Sequence, residues 1–121
     1  AVDYLDADNI GAVLNRADLV ISRSGANTVW DLAILGKVAI LIPLPIAAAG
    51  EQEKNAQILE KAKSSVILKQ EDLSADRLKQ KIDYLFENLS KFQKNAQTFQ
   101  KTLPQSASHT LTSEIKKLIQ D

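Results

Sequence analysis

The sequence has no cysteine and a single histidine, His109. Without cysteine, the chain can form no disulfide, no thiolate metal site and no catalytic thiol. One histidine cannot build a metal site alone, so we expect no metal, and we expect no cofactor either. The lack of cysteine also fits a protein that works in a reducing cytosol.

An excess of charge of either sign is also missing. The chain carries 15 basic and 15 acidic side chains, so its formal net charge is zero. Nucleic acids and anionic membranes attract proteins through an excess of positive charge. We therefore expect no nucleic-acid partner for this chain.

Long hydrophobic runs are absent as well. The longest apolar run, residues 38–49, contains Pro43 and Pro45, and it is shorter than the roughly 20 residues that a membrane-spanning helix needs. The N-terminus has no signal-peptide pattern. It also lacks an initiator methionine and opens in an apolar, extended-looking segment, so we expect a piece of a longer protein.

Short apolar segments alternate with helical patterns over the first part of the chain. Helices are predicted at residues 9–16, 26–35 and 51–63, and strands at residues 2–5, 19–22, 38–42 and 65–68. Gly36 stands where glycines end helices. The continuously apolar segment 38–42 is typical of a parallel strand covered on both faces. The alternation predicts an α/β fold, with a parallel sheet and flanking helices.

Beyond residue 70 the pattern is helical only. Ser74 is a candidate N-cap, and three apolar stripes at helical spacing follow it: Leu78, Ile82, Leu85, Phe86 and Leu89; then Phe92, Ala96, Phe99 and Leu103; then Ala107, Leu111, Ile115 and Leu118. There is neither an internal repeat nor a low-complexity linker. We expect one domain over residues 1–121, with βα units in residues 1–70 and a helical tail in residues 71–121.

The segment Ser-Arg-Ser-Gly-Ala-Asn-Thr at residues 22–28 follows a predicted strand and opens a helix. Ligands of open parallel sheets bind beyond the carboxyl ends of the strands, where helix N-termini point. Small residues allow close approach of the backbone, and free N–H groups suit phosphate oxygens. The hydroxyls of Ser24 and Thr28 could add hydrogen bonds. The alternative is that Ser24 merely caps the helix.

Asp31 lies about two turns into the same helix, although aspartate is a poor residue for a helix interior. A carboxylate there could accept hydrogen bonds from both hydroxyls of a ribose while the helix start holds the phosphates. The alternative is a solvated surface acid. The residues alone favour neither interpretation.

The segment Gly-Glu-Gln-Glu-Lys-Asn-Ala at residues 50–56 marks a second sheet edge. Gln52, Asn55, Leu59 and Ala62 fall on one face of the predicted helix, with the two amides nearest the loop. Amides suit a sugar, because its hydroxyls need both donors and acceptors. The alternative is two amides at a solvated helix end.

At these two edges the chain resembles the C-terminal domain of the MurG-like family 28 glycosyltransferases. The matching segments are ADLVISRSGANTV at residues 17–29, AILIP at residues 39–43, QEKNA at residues 52–56 and LEKA at residues 59–62. The resemblance is dense over residues 2–70 and rests mostly on the helix pattern beyond. It implies a partial C-terminal domain of a GT-B fold, in which two Rossmann-like domains face each other across a cleft.

The resemblance also implies that the chain binds UDP-N-acetylglucosamine. Carried over to this sequence, the backbone of Leu5 would contact the uracil. The residues expected to lie against the diphosphate are Ser24, Gly25, Ala26 and Thr28.

The ribose and sugar positions carry over with two departures. Asp31 stands where the family has a glutamate that binds the ribose hydroxyls, and it is one methylene shorter. Gln52 and Asn55 stand where the family binds the sugar hydroxyls. Glu51 occupies a position often held by histidine or glutamine, so a different nucleotide sugar remains open.

The function implied is that of an inverting hexosyltransferase that forms lipid II from lipid I in peptidoglycan synthesis. In the family, the lipid-linked acceptor and the proposed base belong to an N-terminal domain without counterpart here, so we name no catalytic residue. The full-length protein is expected to be cytoplasmic and peripheral on the inner face of the plasma membrane. An exposed sheet edge could drive self-association.

Other functions compete with this one. A UDP-sugar epimerase shares the fold, but it places a doubled glycine and an acid pair closer after the serine, unlike Gly25-Ala26 and the distant Asp31. A non-catalytic nucleotide-sugar-binding module would bind UDP without transfer. A flavodoxin-like or receiver-like domain would need an acidic cluster or a flavin loop, which the sequence lacks.

Overall fold

The computed structural model describes residues 16–45 and 50–103. Its sheet consists of three short parallel strands: β1 (Val20–Ser22), β2 (Ala39–Leu41) and β3 (Ser65–Ile67). They pair in the order β1-β2-β3, with Ile40 opposite both Ile21 and Val66. The predicted parallel sheet is confirmed, and each strand is slightly shorter than the sequence predicted. The predicted strand at residues 2–5 lies outside the described residues.

Helices make the connections between these strands. Helix α1 (Ala26–Leu35) joins β1 to β2, and helix α2 (Glu51–Lys61) joins β2 to β3. Helix α1 has the predicted bounds and ends at Gly36, whose φ of 64° is left-handed. Gly36 N donates to the carbonyl of Ala33 at 3.3 Å, as is usual for a glycine that ends a helix. Helix α2 ends two residues earlier than predicted.

The described chain beyond β3, as far as Leu103, is mainly helical, as predicted. A short 3-10 helix (Gln70–Asp72) precedes helix α3 (Ala75–Glu87) and helix α4 (Leu89–Thr102). Ser74 caps α3, because its hydroxyl accepts a hydrogen bond from Arg77 N at 3.1 Å. The predicted stripe at residues 107–118 lies outside the described residues.

The prediction of burial was wrong for one residue of the apolar stripe on α3. Phe86 was expected to be buried, but 53% of it is exposed, whereas the preceding Leu85 is fully buried. Neighbouring residues on a helix lie about 100° apart, and the packing of α3 buries Leu85 while leaving Phe86 exposed. Within the described residues, no helix is long and apolar enough to cross a membrane.

Two apolar clusters lie on opposite faces of the sheet, and β2 contributes to both. Ala39 and Leu41 pack against α1 and α2, while Ile40 packs toward α3 and α4. All three residues of β2 are completely buried, which confirms the predicted strand covered on both faces. Burying a side chain such as Leu41 stabilises the fold by ~1.5–3 kcal/mol. This core fixes the positions at which α1 and α2 begin.

Candidate functional site

The carboxyl ends of the strands form one edge of the sheet, because all three strands are parallel. Helix α1 begins shortly after β1, and helix α2 begins at Glu51 in the connection that follows β2. A helix N-terminus carries a partial positive charge and unpaired N–H groups. This edge, which we call the carboxyl edge, therefore presents two such N-termini from neighbouring strands.

The start of α1 is open. Its N-cap residue, Gly25, is extended (φ −61°, ψ 156°), and no side chain caps it. Its carbonyl accepts a hydrogen bond from Val29 N at 3.0 Å. The N–H groups of Ala26, Asn27 and Thr28 precede that bond in the helix and have no intrahelical acceptor. This arrangement suits an anion such as a phosphate.

Ser24 does not cap α1, so that interpretation of the sequence is wrong. Its hydroxyl donates instead to the backbone oxygen of Gln52 at 2.7 Å. The backbone oxygen of Ser24 accepts a hydrogen bond from Asn55 Nδ2 at 3.2 Å. Ser24 is fully buried, so its hydroxyl faces protein rather than a ligand in this structure. It joins the loop before α1 to the first turns of α2.

Gln52 and Asn55 lie at the start of α2 and are partly buried. Gln52 Oε1 accepts a hydrogen bond from Leu44 N at 2.9 Å, which holds the segment after β2. No described residue binds Gln52 Nε2 or Asn55 Oδ1. The pair therefore offers one amide donor and one amide acceptor, which is the combination that a sugar hydroxyl requires.

Asp31 is half-buried on α1. Burial raises the pKa of its carboxyl group above the ordinary value, and burial is the sole cause of that shift. Asp31 is therefore less solvated than a free surface acid. A carboxylate that has lost solvent without gaining a charged partner is suited to accept hydrogen bonds from a ligand.

The predicted site residues thus fall into two groups. Gln52 and Asn55 each form a hydrogen bond with Ser24, whereas the remaining described residues line the start and first two turns of α1: Gly25, Ala26, Thr28 and Asp31. Leu5 lies outside the described residues. Within the described part of the chain, no group of three or more acidic, histidine or cysteine side chains could hold a metal ion.

Sequence reasoning missed a contribution from Arg23. Its Nη1 donates to Gln70 Oε1 at 2.6 Å and to the backbone oxygen of Ile42 at 3.4 Å. Gln70 is 47 residues away in sequence. A single sequence carries no signal for such a pairing. Beside it, a cleft of about 400 Å³ is lined by residues that follow β2 and β3, among them Leu44, Lys69 and Gln70.

Comparison with known protein families gives a match over most of the chain. Residues 2–111 match the family described as the glycosyltransferase family 28 C-terminal domain. Relatives named UDP-N-acetylglucosamine--N-acetylmuramyl-(pentapeptide) pyrophosphoryl-undecaprenol N-acetylglucosamine transferase include one from Thermoanaerobacter sp. (strain X514), which is 43% identical over 77% of this chain and 26% of its own length. A relative of the same name from Nostoc sp. is 40% identical over 87% of this chain and 30% of its own length.

A solved structure shows the same relationship. The chain is similar to a crystal structure of Acinetobacter baumannii MurG, with a TM-score of 0.75 and 26% sequence identity. The match covers 96% of this chain and 34% of that one. The chain therefore spans about a quarter to a third of the length of the relatives that it matches.

Proposed function

Because the chain belongs to the glycosyltransferase family 28 C-terminal domain family, we propose that it is the donor-binding part of an inverting hexosyltransferase. The donor is UDP-N-acetylglucosamine. The whole enzyme transfers N-acetylglucosamine to a lipid-linked acceptor, lipid I, and so forms lipid II in peptidoglycan synthesis. Relatives named for a transfer of this kind, at 43% and 40% identity, support the proposal.

The observation that carries the proposal is the open start of α1 beside the amides of α2. The N–H groups of Ala26 and Thr28, with the backbone at Gly25, are assigned to the diphosphate. Ser24 directly precedes this helix start. It is assigned to the diphosphate through its backbone N–H, because its hydroxyl already donates to the carbonyl of Gln52.

The rest of the donor is assigned along α1 and α2. Asp31 accepts hydrogen bonds from the ribose hydroxyls, while Gln52 Nε2 and Asn55 Oδ1 bind sugar hydroxyls. The uracil is assigned to the backbone of Leu5. No metal or cofactor takes part in these assignments.

In the reaction, an acceptor hydroxyl attacks the anomeric carbon of the sugar, and the bond from that carbon to the diphosphate breaks. UDP leaves with the electron pair, and a general base takes the proton of the hydroxyl. The start of α1 stabilises the negative charge that develops on the diphosphate. We assign the base and the acceptor site to parts of the enzyme outside this chain.

We place the whole enzyme in the cytoplasm, peripheral on the inner face of the plasma membrane, where a lipid-linked acceptor would be reached. Self-association through the edge of the sheet is a further part of the proposal. Ile21 on β1 is 45% exposed among the described residues, which is consistent with it. Light scattering tests this point, and a monomer would contradict it.

The test of donor binding is a two-dimensional amide NMR titration of the chain with UDP-N-acetylglucosamine. We expect shifts to concentrate at residues 24–28, at Asp31 and at residues 52–55. Asp31→Ala should weaken binding by ~10–100-fold, because it removes charge-assisted hydrogen bonds to the ribose. The matched control is Asp83→Ala, which changes an exposed aspartate on α3 and should leave binding unchanged. A folded spectrum that does not move with ligand would refute the assignment.

A further inference from the structure

Arg23 lies between the end of β1 and the start of α1, and its side chain extends along the carboxyl edge. Its Nη1 donates to the backbone oxygen of Ile42 at 3.4 Å and to Oε1 of Gln70 at 2.6 Å. Ile42 directly follows β2, and Gln70 opens the 3-10 helix after β3. One guanidinium group therefore joins segments that follow each of the three described strands.

Backbone hydrogen bonds join the strand ends beneath this side chain. Ile42 N donates to Ser22 O at 2.8 Å, and Leu68 N donates to Leu41 O at 2.9 Å. The Arg23 side chain adds a further connection, because it donates to the carbonyl oxygen of Ile42, whose N–H already binds Ser22. It thereby connects the loop that precedes α1 to the segments that follow β2 and β3.

Two adjacent residues hold that loop from different directions. Ser24 is bonded to α2 through Gln52 and Asn55, whereas Arg23 is bonded toward β3 through Gln70. Successive side chains of an extended segment point to opposite sides. The orientation of the first N–H groups of α1 therefore depends on both connections, and only the one through Ser24 involves predicted site residues.

We propose that Gln70 is a positioning residue for the donor site. By accepting the hydrogen bond from Arg23, Gln70 fixes the loop that aims the N–H groups of α1 at the diphosphate. The proposal rests on the proposed function, because the diphosphate is the ligand that these groups would bind. Preorganised donors lose much of their value when they are displaced from the position of the charge that they stabilise.

The test uses Gln70→Leu, which removes the acceptor and keeps a side chain of similar size. We expect the dissociation constant of UDP, followed by NMR titration, to rise ~3–10-fold, the size of one exposed hydrogen bond to a charged group. The matched control is Gln97→Leu, which changes an exposed glutamine on α4 and should not alter UDP binding. A loss of affinity in both variants would overturn the proposal.

Gln70→Glu provides the rescue. A glutamate keeps an acceptor for the Arg23 guanidinium, so UDP affinity should return to within about twofold of wild type. The comparison is made at raised ionic strength, so that the added charge does not itself repel the nucleotide. A change that merely unsettled the fold around residue 70 would not be rescued in this way.

The free chain supplies a second measurement that does not depend on UDP. Gln70→Leu should shift the amide resonances of Ser24, Gly25 and Ala26, and Gln70→Glu should shift them less. If the wild-type chain does not bind UDP, the proposed function fails, and these resonances alone decide whether Gln70 positions the loop. Resonances and UDP affinity that stay at wild-type values in Gln70→Leu would overturn the inference.

Discussion

Helices α1 and α2 begin at the carboxyl edge of the sheet and run toward the opposite edge, which we call the amino edge. The two edges differ in how the ends of these helices are bonded. At the amino edge, side chains of α4 bind backbone carbonyls in or just beyond the last turns of these helices: Gln100 Nε2 donates to Ile34 O in α1, and Asn95 Nδ2 donates at 3.1 Å to Lys63 O, which follows the C-cap of α2. At the carboxyl edge, no side chain of the described residues caps either helix start.

The polar side chains of the carboxyl edge bind other groups instead. Ser24, Asn55 and Gln52 connect the loops and α2 through backbone carbonyls and through the amide of Leu44. They fix the edge in place while the first N–H groups of α1 stay unpaired. Unpaired helix ends cost stability, and proteins commonly accept such a cost where a ligand binds. The comparison indicates that side chains hold the amino edge at the helix ends, and the open helix start at the carboxyl edge supports the proposal that this edge binds the donor.

The largest effect is expected at the carboxyl edge from Ser24→Ala. The substitution removes the hydrogen bond from the fully buried Ser24 hydroxyl to the carbonyl of Gln52 and leaves a small void, so the free energy of unfolding should fall by ~1–3 kcal/mol. UDP affinity should fall as well, because the loop before α1 loses a connection to α2. Urea unfolding and an NMR titration measure the two effects.

The control for this prediction is Ser90→Ala, at an exposed position on α4. It should change the free energy of unfolding by less than about 0.5 kcal/mol and leave UDP binding as it is. Equal stability of the two variants would mean that the Ser24 connection does not hold the carboxyl edge together.

A smaller difference in stability is expected between alanine substitutions at two left-handed glycines, one at each edge. Gly36 ends α1 with φ 64°, and Gly50 precedes α2 with φ 66°. Alanine at either position should cost ~1–2 kcal/mol of stability because of the positive φ. At Gly36 the new methyl group would also lie 3.0 Å from Gln100 Oε1, whereas at Gly50 it meets no described atom within 4 Å.

Gly36→Ala should therefore be the more destabilising of the two substitutions, since the Gln100 side chain must shift, which disturbs its hydrogen bond to Ile34 O. Thermal unfolding of both variants measures the difference. Gly36→Ala should leave UDP affinity unchanged, because Gly36 belongs to the amino edge. A greater loss of stability in Gly50→Ala would show that the contact with Gln100 contributes nothing.

Much of the fold could be predicted from the sequence where local signals agree. The bounds of α1 followed from its apolar spacing and from Gly36, and the apolar run around β2 indicated a strand covered on both faces. The cap at Ser74 was equally local. The meeting of residues 22–28 with residues 50–56 could be predicted as well, because parallel strands place their carboxyl ends at one edge.

The details that the sequence did not reveal depend on contacts between distant segments. The Ser24 hydroxyl was expected at a phosphate or at the helix cap, yet it binds Gln52, 28 residues away in sequence. The partner of Arg23 is farther still. Phe86 fits the helical spacing as well as Leu85 does, and only the packing of α3 against the sheet decides which one is buried. Helical periodicity predicts which face of a helix is apolar, whereas tertiary contacts determine which residues of that face are buried.

The smallest expected effect concerns the pH dependence contributed by Asp31 at the carboxyl edge. Its carboxyl has an ordinary pKa of 3.8, and burial raises the pKa in the folded chain. Between those two values the folded chain binds more protons than the unfolded chain, so this group makes stability fall as pH rises through that window. Above the window its contribution is constant and unfavourable.

Asp31→Asn removes this titration, so the difference in unfolding free energy between variant and wild type should grow as pH rises from 3.8 and then level off. Urea unfolding at a series of pH values measures the difference, and Asp83→Asn on exposed α3 is the control. Burial favours the protonated form of Asp31, whereas bound UDP should favour the ionised form, since ribose hydroxyls donate to the carboxylate and lower its pKa. UDP affinity should therefore weaken as pH falls through the raised pKa of Asp31. A difference curve without slope would show that burial of Asp31 imposes no cost at the carboxyl edge, and that the contrast between the edges does not extend to this residue.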